Sequence, residues 1–306
     1  MDVSNPTMED WIRAAAQSMQ DEDLHFGHGT SNALDEACWL ASAVLGLPPD
    51  FDPERFASVL DVKSITALDA MLEERIGSRK PLAYLLGEAW LAGLSFEVNS
   101  DVLVPRSPIA ELIVDGFEPW LQPEQLKRAV DVGTGSGCLA VALAYHHHQV
   151  QVDALDISPE ALALARKNVD RYSLSDRVQV IQSDLLTNVS DQRYDLIVSN
   201  PPYVPLSSMD MLPAEYLHEP RLGLEAGSEG LDLVRTLLQQ APNHLSEHGI
   251  MICEVGEAAE ALQTLLAPVV EPIWLEFAHG GDGVFLLEAE ACLAVGRYLK
   301  NESQNP

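Results

Sequence analysis

Four consecutive residues, Asn200-Pro201-Pro202-Tyr203, carry the groups best suited to gripping something flat that bears an amine. They follow the apolar run Tyr194-Asp195-Leu196-Ile197-Val198-Ser199, which predicts a buried strand. Two prolines cannot continue a ladder of backbone hydrogen bonds, so the strand must end there. Pro201 also biases Asn200 toward an extended backbone, which holds its amide at the strand tip. The carbonyl of Pro201 is an acceptor on a stiff turn, and Tyr203 adds a flat face with a polar tip. Taken alone, the four residues are equally a proline-rich turn after a strand.

A second group of residues changes that balance. Asp131-Val132-Gly133-Thr134-Gly135-Ser136-Gly137-Cys138 follows a predicted strand and opens a predicted helix. Glycines there let the backbone approach a ligand, and the helix N-terminus offers unpaired N–H groups. Dinucleotide-binding folds use a similar turn with the spacing Gly-x-Gly-x-x-Gly, whereas here an acid precedes Gly-x-Gly-x-Gly. Asp156 ends the next strand, where a carboxylate can accept both hydroxyls of a ribose. Asp184, in Gln182-Ser183-Asp184-Leu185-Leu186, ends the third, where a side chain can meet an adenine amino group. Either aspartate alone could cap the helix after it. Three successive strand ends with suitable chemistry along one sheet edge are hard to obtain from capping alone.

The elements that must position these residues follow from periodicity. Strands are expected near 128–132, 150–156, 177–182, 194–199, 249–255, 272–277 and 283–288, with helices near 137–147, 159–171, 229–245 and 257–268. The alternation implies a mostly parallel sheet covered on both faces, with Gly281-Asp282-Gly283 forming a tight hairpin into an antiparallel last strand. Residues 1–78 read as helical, with Trp11, Ile12, Ala15 and Met19 on one face and Leu34, Cys38, Leu40, Ala41 and Leu45 on another. Between those helices, His25-Phe26-Gly27-His28-Gly29-Thr30-Ser31-Asn32 reads as an exposed loop whose Thr30 or Ser31 caps the second helix. Its two histidines have no cysteine or carboxylate at ligand spacing, so no metal is expected. Residues 79–105 read as a β-hairpin linker, in which Ser95-Phe96-Glu97-Val98 pairs with Val102-Leu103-Val104 around Asn99-Ser100-Asp101. A helix should then run from Ile109 to Trp120, and residues 301–306 form a frayed polar end. His146-His147-His148 reads as a solvated helix terminus, and Trp11, Trp39, Trp90 and Trp120 as anchors of domain packing.

At this point the sequence resembles the class I S-adenosyl-L-methionine-dependent methyltransferases and, within them, the protein glutamine methyltransferases. The resemblance covers nearly the whole chain. It rests on Asp131 to Cys138, Asp156-Ile157-Ser158, Asp184-Leu185, Asn200 to Tyr203, and the loop from Glu219-Pro220-Arg221-Leu222 to Gly230-Leu231. The release-factor branch of that family usually carries Pro-Arg-Pro-x-Thr-Glu, where this chain has Pro105-Arg106-Ser107-Pro108-Ile109-Ala110-Glu111. That form, with Phe26-Gly27-His28-Gly29-Thr30, is similar to the branch acting on the third protein of the large ribosomal subunit. Glu229 stands where the family more often has aspartate, which keeps the charge.

The resemblance implies a Rossmann-like α/β fold with a seven-stranded sheet, a small N-terminal helical domain for substrate recognition (1–78), the hairpin linker (79–105) and a methyltransferase domain (106–306). It implies S-adenosyl-L-methionine as cofactor and S-adenosyl-L-homocysteine as product. Asp131, Gly133, Thr134, Gly135, Gly137, Asp156, Ile157, Asp184, Leu185 and Asn200 would hold the cofactor. Asn200, Pro201, Pro202, Tyr203, Glu219 and Arg221 would meet the substrate, and Asn200, Pro201 and Tyr203 would be catalytic.

Resonance makes a glutamine amide nitrogen a poor nucleophile. Two carbonyl acceptors, from the Asn200 side chain and the Pro201 backbone, would aim it and favour the positive charge it develops, with no covalent intermediate and no strong base.

Composition narrows the choice of substrate. The 306 residues include 18 basic and 47 acidic ones, a formal charge of −29. That argues against a sequence-independent grip on nucleic acid and suits a basic protein partner or a salt-adapted surface. An adenine-amino methyltransferase, which would use the same motif on a flipped base, should carry a basic stripe. The densest basic cluster is only Arg166-Lys167 with Arg171. The same reaction on peptide release factors, or a non-catalytic module that binds the cofactor, would also use these motifs. Cys38, Cys138, Cys253 and Cys292 form no Cys-x-x-Cys pair, no apolar run has the length of a membrane span, and Met1-Asp2-Val3-Ser4 lacks the basic flank of a signal peptide. A soluble cytoplasmic enzyme is the expectation.

Overall fold

The computed structural model describes residues 5–48, 51–189, 191–278 and 280–304. Met1 to Ser4, His279 and the last two residues of the polar end lie outside the described residues. The chain divides into two compact units, Met1–Ala89 with Pro213–His218, and Trp90–Leu212 with Glu219–Pro306.

The first unit is helical. α1 (Met8–Asp21) starts at a capping box, in which Thr7 accepts from the Asp10 N–H and the Asp10 carboxylate accepts from that of Thr7. Its apolar face buries Trp11, Ile12, Ala15 and Met19. α2 (Ala33–Val44) is capped by Asn32, whose Oδ1 accepts from Asp35 N at 3.0 Å, so neither Thr30 nor Ser31 is the cap. Its buried face is rotated from the expected one: Leu34 is exposed and Glu36 is buried. α3 (Val62–Ser78) and α4 (Leu82–Leu86) complete the bundle.

Glu36 lies inside because charge meets charge there. Arg75 of α3 donates to Glu36 Oε1 at 2.7 Å, and both side chains are 1% exposed. Glu215, from the Pro213–His218 segment, accepts from Arg75 at 3.4 Å and from the His25 N–H at 3.1 Å, and forms an ion pair with Arg79 at 3.1 Å. Burial pushes the Glu36 carboxyl up, and Arg75 opposes that shift. His28 is buried and packs on Tyr216, so the histidine loop is not the exposed one expected.

Between Glu88 and Glu97 the chain makes a hairpin of β1 (Glu88–Leu91) and β2 (Leu94–Glu97). The turn is Ala92-Gly93, both left-handed, which suits the twist of a two-residue loop. The expected hairpin is thus displaced: β2 pairs with the segment before it. Val102 to Val104 form no strand, and the Val104 N–H donates to Glu219 instead (3.0 Å). Trp90 is 39% exposed on this hairpin, whereas Trp11 and Trp39 pack in the helical core.

α5 (Ile109–Asp115) stops at Gly116, well short of Trp120. Then follow β3 (Arg128–Val132), α6 (Cys138–His146), β4 (Gln151–Asp156), α7 (Pro159–Arg171), β5 (Val178–Gln182), β6 (Tyr194–Ser199), α8 (Leu206–Met209), α9 (Asp232–Gln240), β7 (Leu245–Glu254), α10 (Ala259–Leu266), β8 (Ile273–Trp274), β9 (Val284–Glu288) and α11 (Ala289–Gln304). The sheet order is β5-β4-β3-β6-β7-β9-β8, parallel except for β9, which is antiparallel to both neighbours.

Three details depart from the sequence-based expectation. β8 is two residues long, and its link to β9 is a loop instead of a tight hairpin, because the chain leaves the sheet and the Ala278 N–H donates to Glu111 (2.8 Å). α11 was not expected; Cys292, Val295 and Leu299 repeat at helical spacing and are buried in the core. His146 and His147 are not solvated, since their Nε2 atoms bond the carbonyls of Ala92 (3.0 Å) and Ile113 (2.9 Å). Among the described residues no helix is long and apolar enough to cross a membrane, and no group of three His, Cys, Asp or Glu could hold a metal ion.

Candidate active site

β3 lies between β4 and β6, so the chain direction across the sheet reverses at the β3–β6 seam. Such a seam opens a crevice at the carboxyl ends of the strands. In register, Val132 faces Ser199, and the Ser199 hydroxyl donates to the Val132 carbonyl at 2.7 Å. Gly133 and Asn200 therefore leave the sheet side by side. A cavity of about 380 Å³ opens there, and Gly133, Asp156 and Asn200 all line it.

The glycine turn supplies one wall. Gly133 and Gly135 are left-handed, and a Cβ on either would project into open space. At Gly137 a Cβ would stand 3.1 Å from the Ala165 Cβ, so that glycine serves the packing of α6 on α7 and does not line the cavity. Beneath the turn, Asp131 is buried with Oδ2 accepting from Thr134 Oγ1 (2.5 Å) and Ala140 N (3.2 Å). Its Oδ1 is buried without a hydrogen-bond partner. Burial pushes the carboxyl up to about 7; Asp156 nearby adds to this, and the two hydrogen bonds oppose it.

Asp156 accepts from Gly135 N (2.8 Å) on one oxygen and from Ser158 N (2.9 Å) on the other. It does not cap α7, because Ser158 does, accepting from Ala161 N at 3.1 Å. Burial raises its carboxyl above the ordinary range. Ile157 beside it is half exposed, and Asp184 and left-handed Leu185 close that end of the cavity.

The motif after β6 is clamped in place. Val204 bridges to Glu225, with Val204 N donating to the Leu224 carbonyl (2.8 Å) and Ala226 N to that of Val204 (3.0 Å). Gly230 is left-handed, and a Cβ there would stand 2.2 Å from the Tyr203 carbonyl oxygen, so only glycine fits. Asn200, Pro201 and Pro202 line the cavity.

Residues 115–217 match the Methyltransferase small domain family. A ribosomal protein uL3 glutamine methyltransferase of Xanthomonas campestris pv. campestris is 47% identical over 288 residues, 94% of this chain and 93% of its own length. Its counterpart in Bordetella pertussis is 44% identical, across 93% of this chain and 95% of that protein. The chain belongs to the ribosomal protein uL3 glutamine methyltransferase family. The crystal structure of the hMettl16 catalytic domain in complex with MAT2A 3'UTR hairpin 6 is 20% identical and superposes with a TM-score of 0.52, over 82% of this chain and 91% of that one. That likeness concerns the fold alone.

In this methyltransferase several residues expected at the site stand elsewhere. Glu219 is buried and does not line the cavity: its two oxygens hold Arg106 in a bidentate pair at 2.6 and 2.8 Å. Arg221 is exposed and pairs with Glu225. Tyr203 does not line the cavity either, and its hydroxyl donates to Glu254 Oε1 at 3.0 Å. The other oxygen of Glu254 accepts from Ser107 Oγ at 2.7 Å. Ser107 is where the release-factor pattern places its second proline, which has no hydroxyl to donate. Arg106, Ser107 and Glu254 were missed as candidates. The available signal was Cys253-Glu254-Val255-Gly256, an acid at the end of the strand beside that of Asn200.

Proposed function

We propose that this methyltransferase moves the methyl group of S-adenosyl-L-methionine to the side-chain amide nitrogen of a glutamine in ribosomal protein uL3. The observation that carries the reading is the convergence of Asn200 and Pro201 with Gly133 and Asp156 in the lining of one cavity. The residues present fit the cofactor. The unpartnered, buried Asp131 Oδ1 suits a cationic amino group, the bare backbone at Gly133 and Gly135 suits close approach, and half-exposed Ile157 suits the face of a flat ring. Asp156 and Asp184 would take the ribose hydroxyls and the adenine amine. When bound, the cofactor supplies an electrophilic methyl carbon on a sulfonium centre.

The chain's own residues prepare the nucleophile. Asn200 Oδ1 and the Pro201 carbonyl each accept one N–H of the substrate amide, which orients its nitrogen and stabilises the charge that builds there. The protonated N-alkyl amide is itself a strong acid and loses its proton to water, so a general base is not required. The chain's −29 charge complements a basic protein and disfavours DNA or RNA. A ribosomal substrate places the reaction in the cytoplasm.

The test is to incubate the enzyme and methyl-labelled cofactor with ribosomal proteins from a strain lacking it, and to locate the label by mass spectrometry. One labelled glutamine in uL3 is the expected result. Label in a release factor or in adenine, with none in uL3, would overturn the assignment.

Asp131 makes a separate prediction. Its carboxyl holds a proton up to about pH 7 in the free protein. A cation bound beside it favours the carboxylate, so binding releases that proton below pH 7. Cofactor affinity should climb as pH rises from 5 through 7 and level off above, whereas Asp131→Asn should bind weakly and flatly. The free protein behaves oppositely: this raised pKa contributes stability that is full below the ordinary carboxylate range and lost as pH rises through 7. Calorimetric titration across pH 5 to 8 reads the first effect, and a wild-type affinity that does not vary with pH would contradict it.

A further inference from the structure

Glu254 ends β7 one residue beyond the Ser199–Cys253 pair, at the level where Asn200 leaves β6. It is 6% exposed, and its two oxygens each accept from a different hydroxyl, Tyr203 and Ser107. A carboxylate is an acceptor-only group, which matches two hydroxyl donors, one on each of its oxygens. Tyr203 is also closely packed: a Cβ on Gly256 would stand 2.6 Å from its ring Cε2, and one on Gly230 would stand 2.2 Å from its backbone carbonyl oxygen. We propose that Glu254, itself braced by the Ser107 hydroxyl, is a positioning residue for methyl transfer: by anchoring the Tyr203 hydroxyl, it fixes the backbone turn that presents the Asn200 amide and the Pro201 carbonyl to the substrate. The inference rests on the amide-gripping role of Asn200 given above.

The geometry explains why a buried carboxylate is kept here. An apolar residue would remove the acceptor that the Ser107 and Tyr203 hydroxyls share, and with it the polar tether between β7 and the proline turn. Glutamine differs in a useful way: its oxygen can accept from Tyr203 while its NH2 donates to Ser107, whose hydroxyl accepts as readily as it donates. Aspartate keeps the charge but is one methylene too short to meet both hydroxyls.

The experiment uses the full chain with S-adenosyl-L-methionine and purified uL3. Glu254→Ala and Glu254→Asp should each lower kcat by roughly ten- to a hundredfold, the cost of a misplaced reacting group, with cofactor Kd by calorimetry within about twofold. Glu254→Gln should recover most of the turnover. In a Tyr203→Phe background the three substitutions should become equivalent, because the anchor has lost what it holds. Full turnover in Glu254→Asp would overturn the proposal, as would an undiminished effect of Glu254→Ala in the Tyr203→Phe background or a parallel loss of cofactor affinity. Should Glu254→Ala not fold, the aspartate, glutamine and Tyr203→Phe arms decide it. Asn200→Ala is measured alongside. An active Asn200→Ala removes the functional reading itself, whereas an inactive one beside fully active Glu254 variants removes only this inference.

Discussion

Asn200→Ala should lower kcat by roughly a hundred- to a thousandfold while the Kd for S-adenosyl-L-methionine moves by less than about threefold, the pattern for deleting one preorganised polar group. In the proposed role the side chain acts on the substrate amide, whose lone pair is tied up in resonance and gains most from being aimed. The Asn200 backbone is set by the β3–β6 register and by Pro201, so truncating the side chain leaves the turn intact. Asn200→Asp is the sharper control. It keeps the acceptor but adds a negative charge, and a rate far below wild type would show that neutral donor–acceptor geometry matters beyond simple charge stabilisation. Single-turnover transfer of labelled methyl to uL3 separates chemistry from product release, and turnover within threefold of wild type for Asn200→Ala would defeat the assignment. Asp156→Ala should show the reverse pattern, with cofactor binding lost first.

The second large effect concerns stability. Arg75→Ala should destabilise the helical unit by roughly 3–5 kcal/mol, because it removes the cation shared by two buried carboxylates and leaves the partly exposed Arg79, beside Glu215, to offset their charge. Trp11 and Trp39 report that unit in urea unfolding followed by fluorescence, while the other tryptophans report the sheet unit. The defect should shrink at low pH. A carboxyl with a raised pKa keeps its proton in the fold at pH values where the unfolded chain has lost it, so the cost of Glu36 fades as pH falls toward the ordinary carboxylate range. Replacing the whole cluster with Arg75→Met, Glu36→Leu and Glu215→Leu should restore most of the stability, since apolar packing needs no desolvation of charge. An Arg75→Ala variant within about 1 kcal/mol of wild type would show that the buried ions are not mutually dependent.

Both predictions turn on residues that differ in how visible they are in the sequence. Asn200 announces itself, because the two prolines behind it are a local constraint and the strand before it is a continuous apolar run. The glycine turn and Asp156 are equally local: each sits where a periodic element stops. Whether Asp156 caps α7 needed the structure, which gives the cap to Ser158. Asn99-Ser100-Asp101 looks like the hairpin turn and is a turn, with Asp101 N donating to Asn99 Oδ1, but Val102 to Val104 after it form no strand to pair. The pairing itself is made by the less conspicuous Ala92-Gly93.

The burial of Glu36, Glu215, Glu219 and Glu254 was illegible for a common reason. An acidic residue in a chain this acidic reads as solvated surface, and although Glu219 sits in a recognisable loop and Glu254 at a strand end, neither carries a local mark of the partner that buries it. Each is buried by a partner far along the chain: Glu36 by Arg75, Glu215 by Arg75 and His25, Glu219 by Arg106, and Glu254 by Ser107 and Tyr203.

The sequence by itself determined the fold class, the seven strands and the strand ends that line the cavity, because periodicity, glycine and proline act over a few residues and leave marks there. Only the tertiary structure decided which of the many carboxylates are internal, which hydroxyls they hold, and that Glu219 and Arg221 face partners within the protein. Those outcomes depend on pairs separated by dozens of residues, where the favourable term is the contact itself and no local pattern foreshadows it.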